Sequence, residues 1–218
     1  MNCRAVIFDL DGTLLDTLTD IADAANRALI RYGFPPHDTQ AYRWFIGDGS
    51  AVLMTRALPE TQRSAGTVQA CLKSFIDDYN RNWHRATQPY AGIEDLLEEL
   101  RHRSIKFAVV TNKPHPFAVS MIAHYFGHCP FDPILGQQES VPKKPDPGQA
   151  LAAAERMGVP PASCIFLGDS AVDMETARNA GMQPVGAGWG FRPDDELWNS
   201  GAVAVVQHPA ALLDFIDR

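Results

Sequence analysis

Long apolar runs are missing from this 218-residue chain. No run approaches the roughly 20 residues that span a bilayer. The apolar run ahead of Asp9 is too short for a secretory leader and lacks a cleavage region, so a cytoplasmic location is expected. Paired cysteines are missing too: Cys3, Cys71, Cys129 and Cys164 have no CxxC spacing and no compact disulfide frame, and read as reduced thiols. Positive charge is in deficit, with 19 basic against 26 acidic side chains, a net charge of −7 and an isoelectric point near 5.4. That balance argues against nucleic acid and anionic membrane, both of which want a basic face, and leaves a small molecule as the expected partner of a monomer or homodimer. If that molecule is an anion, a local cluster of cations or a metal must reverse the field at the site. Internal repeats and low-complexity segments are also absent.

Apolar residues are not scarce. At 45% they suffice for one large domain or two unequal ones. Ala5 to Phe8 is a continuous apolar run, the pattern of a strand buried on both faces of a parallel sheet. Further short strands are expected at Lys106 to Thr111, Phe131 to Gly136, Ser163 to Asp169, Gln183 to Ala187 and Ala202 to Val206. Helical patterns lie between them, such as "IEDLLEELRHR" and "PGQALAAAERMG", the latter with Pro147 in its first turn and Gly158 at its end. The alternation predicts an α/β doubly wound, Rossmann-like parallel sheet. From Asp16 to about Arg85 the pattern is helical with no convincing strand, so an all-helical insertion over 16–85 is expected after the first strand, leaving 1–15 and 86–218 as the core. Pro89 and Gly92 make a plausible hinge back into the sheet.

Ligands of open α/β sheets bind at the carboxyl ends of strands. There the sequence places Asp9 and Asp11 after the first strand, Thr111 and Asn112 after the second, and Gly168, Asp169 and Ser170 after the fourth, with Asp173 one helical turn on. The basic "KKPDP", Lys143 to Pro147, precedes the helix leading into the fourth strand. Carboxylates packed in a dry crevice require protons or a cation. Oxygen ligands suit magnesium, which takes one or two carboxylates plus phosphate oxygens and so fits Asp9 and Asp169 with a phosphorylated substrate. Two acids at i and i+2 past a strand end can hold two roles: one ionised to attack phosphorus, the other protonated for the leaving oxygen. Gly12 permits a tight turn with its backbone close to the phosphoryl group.

These residues resemble the haloacid dehalogenase superfamily over the whole chain. "DLDGT" resembles its first motif, "VVTNK" its second, the lysine of "KKPDP" its third and "GDSAVD" its fourth, in the family's order and approximate spacing. The resemblance implies Asp9 as nucleophile and magnesium ligand, and Asp11 as general acid then general base, its backbone carbonyl also touching the metal. Thr111 would donate its hydroxyl to the phosphoryl group with the Asn112 amide assisting. Lys144, which directly precedes the proline, would stabilise charge. Asp169 would ligate the metal, and Asp173 would hold Lys144 or a metal-bound water.

The second acid, Asp11, points to phosphoryl transfer rather than dehalogenation, and the helical insertion resembles a cap that closes over the site and chooses the substrate. "FDLDGTLLDT", "VVTNKP", "GDSAVDMETARNAGM" and "GAGWGF" resemble the phosphoglycolate phosphatase subfamily, implying a phosphatase acting on a small phosphorylated metabolite, 2-phosphoglycolate first. The alternatives are a β-phosphoglucomutase-like phosphomutase, from which Thr13 tilts the reading away, a pyrophosphatase or nucleotidase of the same superfamily, and a binding protein with vestigial catalysis. In the cap, Gly47 and Gly49 precede a helix whose exposed amides, with Arg56, could face an anionic substrate.

Other features have plainer readings. Ser170 or Asp169 can cap the helix running toward Ala180. The glycines of "GAGWGF" alternate as GxGxG after the fifth strand, which fits a structural or site-edge loop better than a dinucleotide fingerprint. His124 and His128 have the spacing of a metal pair, but Gly127 is expected to end their helix. Phe75, Tyr79 and Trp83 recur at helical spacing and read as cap core.

Overall fold

The computed structural model describes residues 3–216. The chain divides into two compact units, Met1–Leu15 with Pro89–Arg218, and Asp16–Gln88. In chain order the elements are β1 (Ala5–Phe8), β2 (Leu15–Asp16), α1 (Leu18–Arg31), α2 (Ser50–Ala57), α3 (Ala65–Asn82), β3 (Gln88–Pro89), α4 (Ile93–His102), β4 (Lys106–Pro114), α5 (His115–Phe126), β5 (Ile134–Gln137), α6 (Gly148–Met157), β6 (Cys164–Gly168), α7 (Ala171–Asn179), β7 (Gln183–Ala187), α8 (Asp194–Asn199), β8 (Ala204–Val206) and α9 (Ala211–Ile216). No helix among the described residues is long and apolar enough to cross a membrane, and all four cysteines are free thiols. Burial pushes the Cys164 thiol up to about 11.

The larger unit is a six-stranded parallel sheet in the order β5-β4-β1-β6-β7-β8. All four residues of β1 are fully buried, as a central strand covered by helices on both faces requires. Below one face, Ile7, Val110 and Phe166 meet Ala150, Ala153 and Ala154 of α6, whose small side chains let the helix lie close to the sheet. Gly158 ends α6 in the left-handed region at φ 65°, which a glycine adopts without strain. Connections run from β1 to one side of the sheet and from β6 to the other. The switch point therefore falls between β1 and β6, where Asp9 and Asp169 stand.

The helical unit has its own core. Phe75 and Tyr79 of α3 stack at 5.5 Å between centroids, while buried Tyr42 donates its hydroxyl to Asn26 Oδ1 at 2.7 Å. Trp83, one turn beyond Tyr79, is half-buried. Arg27 of α1 clamps Asp78 of α3 through three contacts of 2.8 to 3.0 Å. Buried Asp20, in the first turn of α1, accepts from the backbone amides of Ala86 and Thr87 and from the Thr87 hydroxyl, tying the start of the unit to its end. At the two crossings between units, β2 and β3 pair as a separate two-stranded sheet.

Candidate active site

Three strand ends build the site. Asp9 follows β1 directly; the backbone then turns through Gly12 at φ 82°, and the Gly12 amide donates to the Leu15 carbonyl. Asp169 and Ser170 follow β6, with Asp173 in the first turn of α7. β4 runs on past Thr111 to Pro114, longer than the sequence pattern predicts, with a register irregularity against β5. Thr111, Asn112 and Lys113 are consequently held as strand rather than loop, all three buried.

Lys144 is the hub. Its Nζ lies 2.9 Å from Asp9 Oδ1 and 2.7 Å from Asp173 Oδ1, and its side chain is almost wholly buried. Asp173 is occupied on both oxygens, because Oδ2 accepts from the Ser170 hydroxyl at 2.6 Å and from the Ser170 amide at 3.1 Å. Of the two roles expected for Asp173, the structure therefore displays the one of holding Lys144. Ser170 combines that contact with the expected cap of α7. Asn112 stands differently from expectation. Both ends of its amide are engaged by the Lys144 main chain, Oδ1 accepting from the amide at 2.9 Å and Nδ2 donating to the carbonyl at 3.2 Å, so in this arrangement it fixes the lysine backbone. The Thr111 hydroxyl accepts from the Lys113 amide at 3.2 Å.

Lys113 was given no role on sequence grounds, yet its Nζ reaches both oxygens of Asp11, at 2.8 and 3.1 Å. Only its place in "VVTNK", two residues after Thr111 and so on the same strand face by alternation, could have signalled it. The late glycine loop, expected as structural or at the site edge, adds contacts that its sequence does not announce. Phe191 donates its amide to Asp169 Oδ2 at 2.7 Å, and Trp189 donates its indole N–H to the Thr13 carbonyl at 3.0 Å. "GAGWGF" is thus a loop at the edge of the site. A Cβ on Gly190 would stand 2.2 Å from Asp169 Cβ and 2.6 Å from the Gly12 carbonyl, and one on Gly12 would stand 2.2 Å from Asp169 Oδ2. Asp169 is wedged between two glycine backbones.

The charge pattern is unbalanced. Beside the four carboxylates Asp9, Asp11, Asp169 and Asp173, Lys113 pairs with Asp11, and Lys144 pairs with Asp9 and Asp173. Burial, with Asp173 and Asp11 adding to it against the pull of Lys144, raises Asp9 to about 6. Burial, then Asp173 and Asp9, holds Asp169 well above the usual carboxylate range. Lys144 is raised as well: burial alone would lower it, but Asp173 and Asp9 outweigh burial and hold its ammonium charged. Oxygens of Asp9, Asp169 and Asp173 all lie within 4.8 Å of one another, the only such group among the described residues; neither His124 of α5 nor His128 beyond its end belongs to it. An all-oxygen donor set with surplus negative charge fits a hard divalent cation. The carboxylates that could reach one such ion are Asp9, Asp169 and Asp173.

Arg56 lies in the helical unit at the end of α2. It pairs with Asp48 at 2.6 Å and donates to the Phe45 carbonyl at 3.3 Å. The expected anion-facing group is therefore engaged by the glycine loop that precedes its own helix, with Gly49 capping that helix at φ 88°.

Known proteins carry the same arrangement of chain. The family model described as haloacid dehalogenase-like hydrolase matches residues 6–187. An N-acetylmuramic acid 6-phosphate phosphatase of Pseudomonas aeruginosa is 33% identical over 100% of this chain and 96% of its own length. A phosphoglycolate phosphatase of Pseudomonas putida is 34% identical over 97% of this chain and 76% of its own. Among solved structures, a provisionally named phosphoglycolate phosphatase from Lactobacillus delbrueckii superposes with a TM-score of 0.94 at 32% identity, covering 99% of both chains. By the match over most of its length and by these relatives, the chain belongs to the haloacid dehalogenase-like hydrolase family.

Proposed function

We propose that the protein is a magnesium-dependent phosphomonoester hydrolase working through an aspartyl-phosphate on Asp9, with 2-phosphoglycolate as its first candidate substrate. The observation that carries the proposal is Lys144, held by Asp173 and Asn112 so that its ammonium stands 2.9 Å from Asp9. A carboxylate beside a fixed ammonium stays available for attack while the lysine draws the phosphoryl oxygens in. Thr111 would donate its hydroxyl to a phosphoryl oxygen, and Gly12 brings backbone close to it. Asp11 would protonate the departing oxygen and then take a proton from the water that cleaves the acyl phosphate. Magnesium, held by Asp9, Asp169 and the Asp11 carbonyl, would supply positive charge to the phosphate oxygens. The helical unit 16–88 would serve as the cap that selects the substrate, with Arg56 exchanging Asp48 for a substrate anion.

The two substrates printed in the names of the relatives, phosphoglycolate and N-acetylmuramic acid 6-phosphate, both join a phosphate monoester to a carboxylate. A phosphorylated acid is therefore the favoured class. Phosphate release from 2-phosphoglycolate, N-acetylmuramic acid 6-phosphate, a hexose 1-phosphate, pyrophosphate and a nucleoside monophosphate, measured with and without magnesium, tests the reading. The phosphorylated acids are expected to lead in kcat/KM by about tenfold or more, the size of a well-placed charged contact. An isomeric sugar phosphate without free phosphate would mean a mutase, and no phosphate from any ester would sink the proposal.

Magnesium is also expected to stabilise the fold in a pH-dependent way. Asp9 binds its proton more tightly in the folded chain than its ordinary value of 3.8 would allow. Its favourable contribution is complete below about pH 4 and is lost as the pH rises through about 6. The metal-free protein carries that deficit at pH 7.5, where a cation relieves it. At saturating magnesium the melting temperature should rise by roughly 5 to 10 °C at pH 7.5 and distinctly less at pH 5. An equal shift at both pH values would separate metal binding from these carboxylates.

A further inference from the structure

We propose that Lys113 is a positioning residue for Asp11: it fixes the Asp11 carboxyl where proton transfer at the ester oxygen takes place. The inference rests on the reading of Asp11 given above and adds to it a residue with no assigned part. Asp11 lies in the turn after β1, with neighbours on both sides free of regular structure. A carboxyl on such a turn has rotamers to choose from, and an acid–base group must reach its oxygen within about 0.5 Å of the right place. The structure answers this with a two-point contact from a buried ammonium, the arrangement of the ionised carboxylate that takes the water proton; when one oxygen carries the proton for the ester oxygen, the other keeps the ammonium. Lys113 Nζ meets Asp11 Oδ1 at 2.8 Å and Oδ2 at 3.1 Å, with 4% of the lysine side chain and 12% of the aspartate side chain exposed.

Lys113 is itself rigidly mounted. It belongs to the extension of β4, its amide donates to Thr111 Oγ1, and a Cβ on Gly136 of β5 would stand 2.8 Å from its carbonyl oxygen, so the neighbouring strand lies tight against it. One strand thus delivers Thr111 to the phosphoryl group, Asn112 to the Lys144 backbone and Lys113 to Asp11. The two lysines divide the carboxylates: Lys144 serves Asp9 and Asp173, and Lys113 serves Asp11.

In the first half-reaction an Asp9 oxygen bonds to phosphorus as the phosphorus–ester oxygen bond breaks. The ester oxygen keeps the electron pair and takes the proton of Asp11. In the second, water oxygen bonds to that phosphorus, the Asp9–phosphorus bond breaks, and the water proton goes to Asp11. A displaced Asp11 harms the first half-reaction in proportion to how much the leaving oxygen needs a proton. An alkoxide needs one; p-nitrophenolate does not.

The test compares kcat/KM, which reports only steps through formation of the acyl phosphate, for glycerol 2-phosphate and p-nitrophenyl phosphate, neither bearing a charge beyond its phosphate. For Lys113→Met the alkyl ester is expected to lose about 100-fold, the span of one proton transfer, and the aryl ester only a few-fold. Lys113→Arg, which keeps a cation at the carboxyl, should recover most of the alkyl activity. Should the methionine variant fail to fold, Lys113→Gln fills the buried site without the cation, and the same excess loss on the alkyl ester is expected of it. Equal losses on both esters would overturn the proposal. So would a loss larger for 2-phosphoglycolate than for glycerol 2-phosphate, since Lys113 would then be a carboxylate-binding group. If the unsubstituted protein hydrolyses neither ester, the functional reading fails instead, which is a distinct result.

Discussion

Asp9→Asn is expected to lower kcat/KM for every phosphate ester by roughly 10⁴-fold or more, the scale on which a lost nucleophile is felt. The same change is expected not to lower the melting temperature of the metal-free protein at pH 7.5. Burial is the largest influence on Asp9 and works against its charge, so at that pH the ionised carboxylate is held at the expense of the fold. An amide of the same shape removes the charge and leaves Lys144 its stronger contact, the 2.7 Å pair with Asp173. The magnesium-induced rise in melting temperature should shrink at the same time. Activity assays beside thermal melts check all three points. Retained turnover would remove Asp9 from the chemistry, and a large drop in stability would mean that its charge supports the fold.

Lys144→Met is expected to have the opposite signature, loss of both activity and stability. Two buried carboxylates share this ammonium, and deleting one partner of a buried ionic group costs about 3 to 5 kcal/mol because the charges left behind are uncompensated. For a chain of this size that corresponds to a fall in melting temperature of roughly 10 °C. The catalytic loss should reach about 10³-fold, as for removal of one preorganised group facing developing charge. Adding Asp173→Asn to Lys144→Met should restore part of the stability and none of the activity, since it removes a stranded carboxylate without replacing the ammonium. Denaturant unfolding and steady-state kinetics on the single and double variants decide the matter. Additive losses in stability would mean that the two side chains are not coupled.

The contrast between these variants bears on what the sequence could disclose. Runs such as Ala5 to Phe8 and the CIFLG of Cys164 to Gly168 are legible as strands because full burial on both faces of a parallel sheet demands continuous apolar residues. The two acids after the first run are legible only together with "VVTNK", "KKPDP" and "GDSAVD" at the other strand ends, since a lone acid pair past a strand reads equally well as a solvated turn. β4 was read short by three residues, since Asn112, Lys113 and Pro114 carry no strand signal; tertiary pairing with β5 and contacts to Lys144 and Asp11 keep them extended. The first two strands beyond the helical region fared differently at their edges: Phe131 to Gly136 was expected where β5 begins only at Ile134, the preceding Pro133 having no amide to add to the ladder.

The supports of the site were the least legible part. The Lys113–Asp11 contact joins residues 102 positions apart, and no local pattern encodes which aspartate a lysine will meet. For Asn112 the family resemblance implies help at the phosphate; that its amide matches the Lys144 main chain depends on how the loop before α6 returns to β4. "GAGWGF" was read as a loop at most bordering the site. Its grip on Asp169 depends on Gly190 having no side chain at a point where backbone from three segments converges, which becomes visible only in three dimensions.

The placement of β1 also sets an order of events during synthesis. Ala5 pairs with Lys106 on one side and Cys164 on the other, so the strand that precedes Asp9 leaves the ribosome ahead of both its partners and gains the second only when β6 has been made. At translation rates of about 5 to 20 residues per second, the wait is on the order of ten seconds. The helical segment 16–88, contiguous in sequence, emerges complete during that interval. A nascent chain therefore carries Asp9 long before it has Lys144 or Asp169 beside it, and termination before Lys144 yields a product in which the carboxylate has neither of them.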